Sequence, residues 1–168
     1  VAAERIAQEL RRMLVHPSRS AAMRMMMDFG LVSVILPELL PLVGHPAGVV
    51  ARPDHDLWEQ TLAVLDALPH DPSVGLALAA LLHETGRVMA DRGAVGVVHR
   101  VADRLKLANV EREEASWLVS HLGILQEPRS LPVARLKRWL AEPGIADLLT
   151  LHRAVAEAAE LPVDHVEY

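Results

Sequence analysis

Residues 76–82, with the sequence LALAALL, are the longest uninterrupted apolar run of the chain. A segment without a polar face must be enclosed by other elements, and this run is far shorter than the about 20 residues that span a bilayer. Periodicity alone would also allow a buried strand, but the alanine and leucine content and the length of the segment favour a helix. The run therefore predicts a central helix that neighbouring elements cover on all sides.

The rest of the chain repeats apolar residues at helical spacing. Ile6, Leu10 and Leu14 fall on one helix face, and Val97 and Val101 repeat the pattern further along. No segment shows the period-two alternation of a half-buried strand. Aromatic residues make up only 3% of the chain, so smaller aliphatic side chains must fill the interior. These patterns predict an all-α fold, a bundle of several helices around the central one.

A loop rich in glycine and proline separates two helical regions. The sequence GHPAGVVARPD at residues 44–54 holds two glycines and two prolines, and Asp54 at its end is a candidate N-cap for the next helix. We therefore expect a small helical segment over 1–43, a larger helical domain over 54–160 and a tail over 161–168. The 168 residues also fit a single domain, or two subdomains that share a core.

The chain contains no cysteine, which excludes disulfides and thiolate–zinc sites and fits a reducing compartment. No apolar stretch is long enough for a transmembrane helix. We therefore expect a cytoplasmic protein without a membrane partner. Because the chain starts at Val1 and not at a methionine, we also expect it to be part of a longer protein.

Charge is divided unevenly along the chain. The net charge of −5 argues against a protein that coats nucleic acid over its whole surface. Residues 1–27 hold five arginines against two glutamates, a balance of +3, and the other residues hold 12 basic and 20 acidic side chains, a balance of −8. A basic portion of this kind predicts a local phosphate-binding face, although a solvated helix face has the same pattern. Arg135, Lys137 and Arg138 form a second basic cluster on a short predicted helix.

The three tryptophans allow two interpretations. Trp58, Trp117 and Trp139 are suited to stacking on nucleic-acid bases. In a chain with so few aromatic residues, we interpret them as anchors of the hydrophobic core.

Histidine and glutamate residues mark a candidate metal site. His55 starts one predicted helix, and His83 and Glu84 end the central helix. The short PHDP connection at 69–72 makes the two helices antiparallel, so these ends lie near one another. Imidazole nitrogens and carboxylate oxygens are ligands for divalent transition metals. The same pattern also fits hydrogen-bonded polar groups at the end of a core helix.

Two stretches carry a resemblance to a known family. HDLWEQTLAVLDALP at 55–69, followed by LALAALLHETGR at 76–87, is similar to the HD domain, whose members bind metal through histidines and aspartates and often hydrolyse phosphoesters. Residues 4–39, from ERIAQEL to ILPEL, resemble the segment that precedes the HD domain in bacterial tRNA nucleotidyltransferases and poly(A) polymerases. The resemblance covers nearly the whole chain in order. It implies an HD-like bundle preceded by a helical neck of RNA-binding type.

The chain departs from the family pattern at the metal ligands. Glu84 stands where the family has the aspartate of its His-Asp pair, Val155 where it has a distant aspartate, and Gln60 where histidine is frequent. The stretch after His83 and Glu84 is shorter than is usual in the family, which predicts that residues are missing near Ala90 and Asp91. The resemblance therefore implies a degenerate site at His55, His83 and Glu84 without a catalytic residue. Such a site is either unoccupied or holds a divalent metal whose shell is completed by water.

The resemblance also implies what the chain does and what it lacks. In this family nucleotidyl transfer takes place in a separate N-terminal head domain that holds Mg²⁺ on paired aspartates after a glycine-serine or glycine-glycine turn, and neither dipeptide occurs here. The chain would be the C-terminal, non-catalytic portion that holds tRNA or another RNA at its 3′ end. Its candidate partners are the head domain and, in a homodimer, a second copy. The candidate RNA-binding residues are Arg5, Arg11, Arg12, Arg19, Arg24, Arg135, Lys137 and Arg138.

Two other functions fit the sequence. A stand-alone metal-dependent phosphohydrolase of the HD type would use the histidine and glutamate residues above. A structural module that associates with itself through its helices would need neither metal nor RNA.

Overall fold

The computed structural model describes residues 2–48, 53–89, 93–126 and 132–160. The described residues form no β-strand, and the predicted all-α fold is confirmed. None of the helices in these ranges is long and apolar enough to cross a membrane. The α-helices are α1 (Ala3–Val15), α2 (Arg19–Asp28), α3 (Leu31–Ile35), α4 (Leu57–Ala67), α5 (Val74–Leu82), α6 (Thr85–Val88), α7 (Gly93–Leu105), α8 (Asn109–His121), α9 (Val133–Leu140) and α10 (Ile145–Ala158), and 3-10 helices cover Pro37–Leu42 and Leu122–Gln126.

Helix α5 is the central element of the bundle. Its residues from Gly75 to Leu82 are all buried, and it packs against α1, α4, α7, α8 and α10. The helix begins where the Ser73 hydroxyl accepts a hydrogen bond from the Leu76 amide at 3.0 Å. The central helix that the apolar run predicts is therefore confirmed.

Helices α5 and α8 approach each other closely because α5 has a glycine at their contact. A Cβ added at Gly75 would lie 2.7 Å from the Cβ of Glu114 and closer still to its carboxylate. The Ser73 hydroxyl donates to the same carboxylate at 2.5 Å. The glycine thus lets a polar side chain of α8 lie against the start of α5.

The N-terminal segment packs into the same core as the rest of the chain. Helix α1 lies against α5 and α7, and α2 lies against α4. Leu10, Leu14 and Met23 are buried in one continuous hydrophobic cluster with residues of α4, α5, α7, α8 and α10. The shared core fits a single domain as well as two subdomains, and the division at residues 43 and 54 stays a prediction.

The loop before α4 contains one correction to the sequence analysis. The N-cap of α4 is Asp56 and not Asp54. One oxygen of the Asp56 carboxylate accepts from the Glu59 amide at 2.8 Å, and the other accepts from the Gly44 amide at 2.7 Å. Asp56 therefore caps the helix and closes the loop at once.

An ion pair between the buried Glu38 and the exposed Arg104 joins the N-terminal segment to α7. The Glu38 side chain is only 3% exposed, and the Arg104 guanidinium donates to both of its carboxylate oxygens and to the Ile35 carbonyl. Burial alone would raise the pKa of Glu38, but the hydrogen bonds and charge of Arg104 hold that pKa below its ordinary value. The carboxylate is therefore kept charged inside the protein.

Two predictions from the sequence lie outside the described residues. The gap expected near Ala90 and Asp91 and the tail expected over 161–168 both fall there.

Candidate functional site

His83 and Glu84 lie where the central helix ends. The His83 Nδ1 lies 2.8 Å from the Ala80 carbonyl, so this nitrogen carries the proton and donates it. The Nε2 of the same ring is buried without a hydrogen-bond partner and lies 3.6 Å from Glu84 Oε1. Arg87 donates to the other Glu84 oxygen at 3.3 Å and to the Ala47 carbonyl at 3.0 Å. The pair is thus tied to the loop before α4.

The buried polar atoms show whether the residues of this chain fit the metal that members of the HD family bind. His55 Nδ1 and His83 Nε2 are both buried without a partner, and Gln60 Oε1 is a third such atom. Unpaired imidazole nitrogens suit a metal, but a protein site normally supplies at least three ligands. Within the described ranges, no three histidine, aspartate or glutamate side chains group closely enough to hold an ion. Val155 packs against the hydrophobic core, so the residues described do not fit a complete HD metal site.

The burial of His83 predicts how stability depends on pH. Burial lowers the pKa of His83 below its ordinary value of 6.5, although the charge of Glu84 opposes this shift. As the pH falls below about 6.5, the unfolded chain gains a proton at this position that the folded chain does not. The free energy of unfolding should therefore fall between pH 7 and pH 5, with a contribution from His83 of at most about 1.4 kcal/mol per pH unit. Urea unfolding at pH 7, 6 and 5 measures this slope.

The variant His83→Asn serves as the comparison because asparagine does not titrate. It should show a smaller loss of stability than the original chain over the same pH range. Equal slopes for the two proteins would contradict the assignment of a lowered pKa to His83.

Arg19 is buried and serves the fold. It is 1% exposed, and its guanidinium donates at 2.9 Å to the carbonyls of Leu14, Leu65 and Pro69 and at 3.2 Å to that of His70. These carbonyls belong to α1, to α4 and to the residues just after α4, where helices leave acceptors without internal partners. Arg19 therefore ties two helices together and is not available to a phosphate on the surface.

Two further arginines of the N-terminal segment pair with the body of the protein. Arg11 makes two hydrogen bonds with the Glu111 carboxylate, at 2.6 and 2.8 Å, and holds the pKa of that carboxyl below its ordinary value. Arg24 makes two with Glu59, both at 2.7 Å. Much of the positive charge in residues 1–27 is thus neutralised by acidic residues of α4 and α8.

Arg5 and Arg12 are the exposed arginines of this segment with the weakest ion pairing to acidic side chains. Arg12 lies 2.9 Å from Glu9, with both side chains about two-thirds exposed, and such surface pairs contribute little. Arg5 is exposed and pairs with no acidic side chain among the described residues. These two side chains are free to meet a ligand.

Helix α9 presents the second basic cluster. Arg135, Lys137 and Arg138 are all exposed, and none of them forms an ion pair within the part of the chain that the structure describes. The helix sequence VARLKRWL contains no acidic residue. Of the basic groups that the sequence indicates, this cluster is the least neutralised.

The structure adds an aromatic cluster that sequence reasoning missed. Trp58 is buried in the core, as expected, but Trp117 and Trp139 are only partly buried. Trp139 belongs to the basic helix α9, and its ring forms a cluster with Trp117 and His121 of α8. One local signal was available, because Trp139 directly follows Arg138 in the sequence. The contribution of α8 to the cluster depends on the fold and has no local signal.

Comparison with known proteins indicates the family. Residues 1–42 match the model of a family described as "Probable RNA and SrmB- binding site of polymerase A". A multifunctional CCA protein of Methylococcus capsulatus is 28% identical over 155 residues, which are 84% of this chain and 36% of that protein. A CC-adding tRNA nucleotidyltransferase of Thermus thermophilus is 38% identical over 96 residues, 54% of this chain and 21% of that protein. A multifunctional CCA protein of Xanthomonas campestris is 33% identical over 141 residues, 74% of this chain and 34% of that protein.

These matches cover most of the chain but only a part of each relative. The chain spans about a third or less of the length of these relatives. The similarity extends from the N-terminal segment into the helical body, in agreement with the resemblance found from the sequence. The chain therefore belongs, as a partial member, to the tRNA nucleotidyltransferase family.

Proposed function

We propose that this chain is the part of an RNA 3′-end nucleotidyltransferase that holds the RNA, in tRNA CCA addition or in polyadenylation. The observation that carries the proposal is the double match, to an RNA-binding family model over residues 1–42 and to CCA-adding relatives over most of the chain. The transfer reaction belongs to a separate head domain of the longer protein, which also binds the Mg²⁺ ions. The longer protein acts in the cytoplasm.

Electrostatics favours helix α9 as the main surface for the RNA backbone. Three basic side chains on two turns, with no acidic residue among them, attract phosphates without reading bases. The arginines Arg11, Arg19 and Arg24 contribute less, because they already bind acidic side chains or carbonyls. Arg5 and Arg12 form a second, weaker surface, which the family match over residues 1–42 favours.

Binding of a tRNA transcript to the 168-residue chain tests the proposal. Fluorescence anisotropy at several salt concentrations should show binding whose affinity falls as salt rises. With about three phosphates neutralised, we expect log Kd to rise by about 2 to 3 per unit of log salt. Binding that does not change with salt, or no binding at low salt, would overturn the proposal.

We further propose that the His83–Glu84 pair is a degenerate HD site that no longer hydrolyses phosphoesters. The support is that the His83 Nε2 is buried without a hydrogen-bond partner, while among the described residues no three histidine, aspartate or glutamate side chains group closely enough to hold an ion. Metal analysis after incubation with Mn²⁺ or Ni²⁺, together with an assay on a generic phosphodiester, tests this. Stoichiometric metal that is lost in His83→Ala would instead favour a stand-alone phosphohydrolase.

A further inference from the structure

A pocket lies between the end of α8 and the helix α9. Its volume is about 260 Å³, and it is lined by Trp117, His121, Arg135, Arg138, Trp139 and Glu142. The described residues of the pocket therefore supply three aromatic rings, two guanidinium groups and one carboxylate. The binding of the RNA backbone by basic side chains does not involve these aromatic rings.

The rings of the pocket are held in fixed positions. Trp117 and His121 stack with centroids 4.5 Å apart, and the Trp139 ring meets His121 edge-on at 4.8 Å. The His121 Nδ1 lies 2.7 Å from the Trp117 carbonyl. Trp117 also lies against Gly144, where an added Cβ would come within 2.7 Å of the ring. Contacts within the protein thus preorganise the aromatic side of the pocket.

The charged groups lie on the same pocket. Arg135 and Arg138 are three residues apart on α9, which places them on one face of the helix. Both are exposed, and neither pairs with Glu142 or with another acidic side chain among the described residues. Two guanidinium groups beside an aromatic wall match a ligand that is both flat and anionic.

We propose that this pocket binds one unpaired nucleotide of a single-stranded RNA. The base packs on the exposed part of Trp139, and Arg135 and Arg138 bind the phosphates on either side of it. Glu142 accepts a hydrogen bond from the amino group of adenine or cytosine. The inference rests on the proposed RNA-holding function and adds a site and a class of RNA to it.

The shape and charge of the pocket favour this ligand over others. In a duplex the bases are already stacked and paired, whereas a single strand can offer a base to an aromatic side chain. A volume of about 260 Å³ is small for an organic ligand pocket and suits one base. An acidic peptide would bring its carboxylates close to Glu142. A role of the rings as a simple anchor for α9 would not require two unpaired arginines at the pocket.

The test uses the 168-residue chain and a six-residue oligoadenylate as the probe. Stacking should quench tryptophan fluorescence, because two of the three tryptophans line the pocket. Trp139→Leu keeps an apolar side chain but removes the stacking surface, and should weaken binding at least about fivefold. Trp139→Phe keeps an aromatic ring and should retain most of the affinity. A blunt RNA duplex of equal length should bind more weakly than the single strand.

The arginines provide variants that do not depend on core packing. Arg138→Gln lies at an exposed position and should reduce the salt dependence of oligoadenylate binding by about one unit of slope. Lys137→Gln is the matched control, because it removes one charge from the same helix but does not line the pocket. It should reduce the affinity less than Arg138→Gln does. Equal effects of the two variants would overturn the assignment of the phosphate to Arg138.

The outcomes separate this inference from the function on which it rests. If tRNA binds with the expected salt dependence but oligoadenylate binds equally well to the original chain and to Trp139→Leu, the pocket inference fails and the RNA-holding function stands. If neither RNA binds, both fail. If Trp139→Phe loses as much affinity as Trp139→Leu, the ring is an anchor for α9 and not a stacking surface.

Discussion

Replacement of Arg19 by methionine is expected to lower the free energy of unfolding by about 3 to 4 kcal/mol. Methionine fills a similar space but donates no hydrogen bond, so the carbonyls of Leu14, Leu65 and Pro69 lose their contacts at 2.9 Å. A buried polar group that loses its partner costs about 1 to 3 kcal/mol, and the guanidinium serves several at once. Urea unfolding followed by circular dichroism measures the change.

Arg12→Met is the matched control for this prediction. The same substitution at an exposed position of the same segment should change stability by about 0.5 kcal/mol or less, since its partner Glu9 is exposed as well. Similar losses in the two variants would contradict the role given to Arg19. Such a result would mean that the guanidinium of Arg19 contributes no more than a surface charge.

Replacement of Arg104 by methionine should cost about 3 kcal/mol. The Glu38 carboxylate, which is 3% exposed, would lose the guanidinium that hydrogen-bonds to both of its oxygens. An uncompensated buried charge is among the largest single sources of instability in proteins. Because the pair joins the N-terminal segment to α7, the loss should appear as easier unfolding of the whole chain.

A double variant provides the control for the Arg104 prediction. In Glu38→Gln with Arg104→Met, no buried charge is left, so much of the lost stability should return. The pH dependence should change as well. Because the pKa of Glu38 is lowered in the folded chain, the stability that it contributes is present above about pH 4.5 and is lost as the pH falls further. A double variant less stable than Arg104→Met alone would contradict this explanation.

The sequence predicted those features of the fold that depend on local pattern. The apolar run that becomes α5 has no polar face, so only burial on all sides satisfies it, and the structure places it at the centre. Any aspartate before a helix is a good N-cap, so the sequence alone allows Asp54 as the cap of α4. Asp56 takes that role because its second oxygen also binds the amide of Gly44, a contact that local sequence does not reveal.

The candidate site is harder to predict from the sequence, because contacts between residues far apart along the chain decide which side chains are exposed. Arg5 and Arg19 are the same residue type in the same basic segment, yet one is exposed and the other is 1% exposed. The difference arises because Arg19 meets carbonyls at the end of α4, about 50 residues away along the chain. Likewise Trp139 and Arg138 are neighbours in sequence, but the pocket exists only because α8 brings Trp117 and His121 to them.

The central claim is that RNA is held mainly by helix α9 and less by the N-terminal arginines. The most direct test compares two triple variants, each of which removes three positive charges, in tRNA binding at one salt concentration. Arg135→Gln/Lys137→Gln/Arg138→Gln should weaken binding about 30-fold, and Arg5→Gln/Arg12→Gln/Arg24→Gln should weaken it about threefold or less. A larger loss in the N-terminal variant than in the α9 variant would contradict the claim.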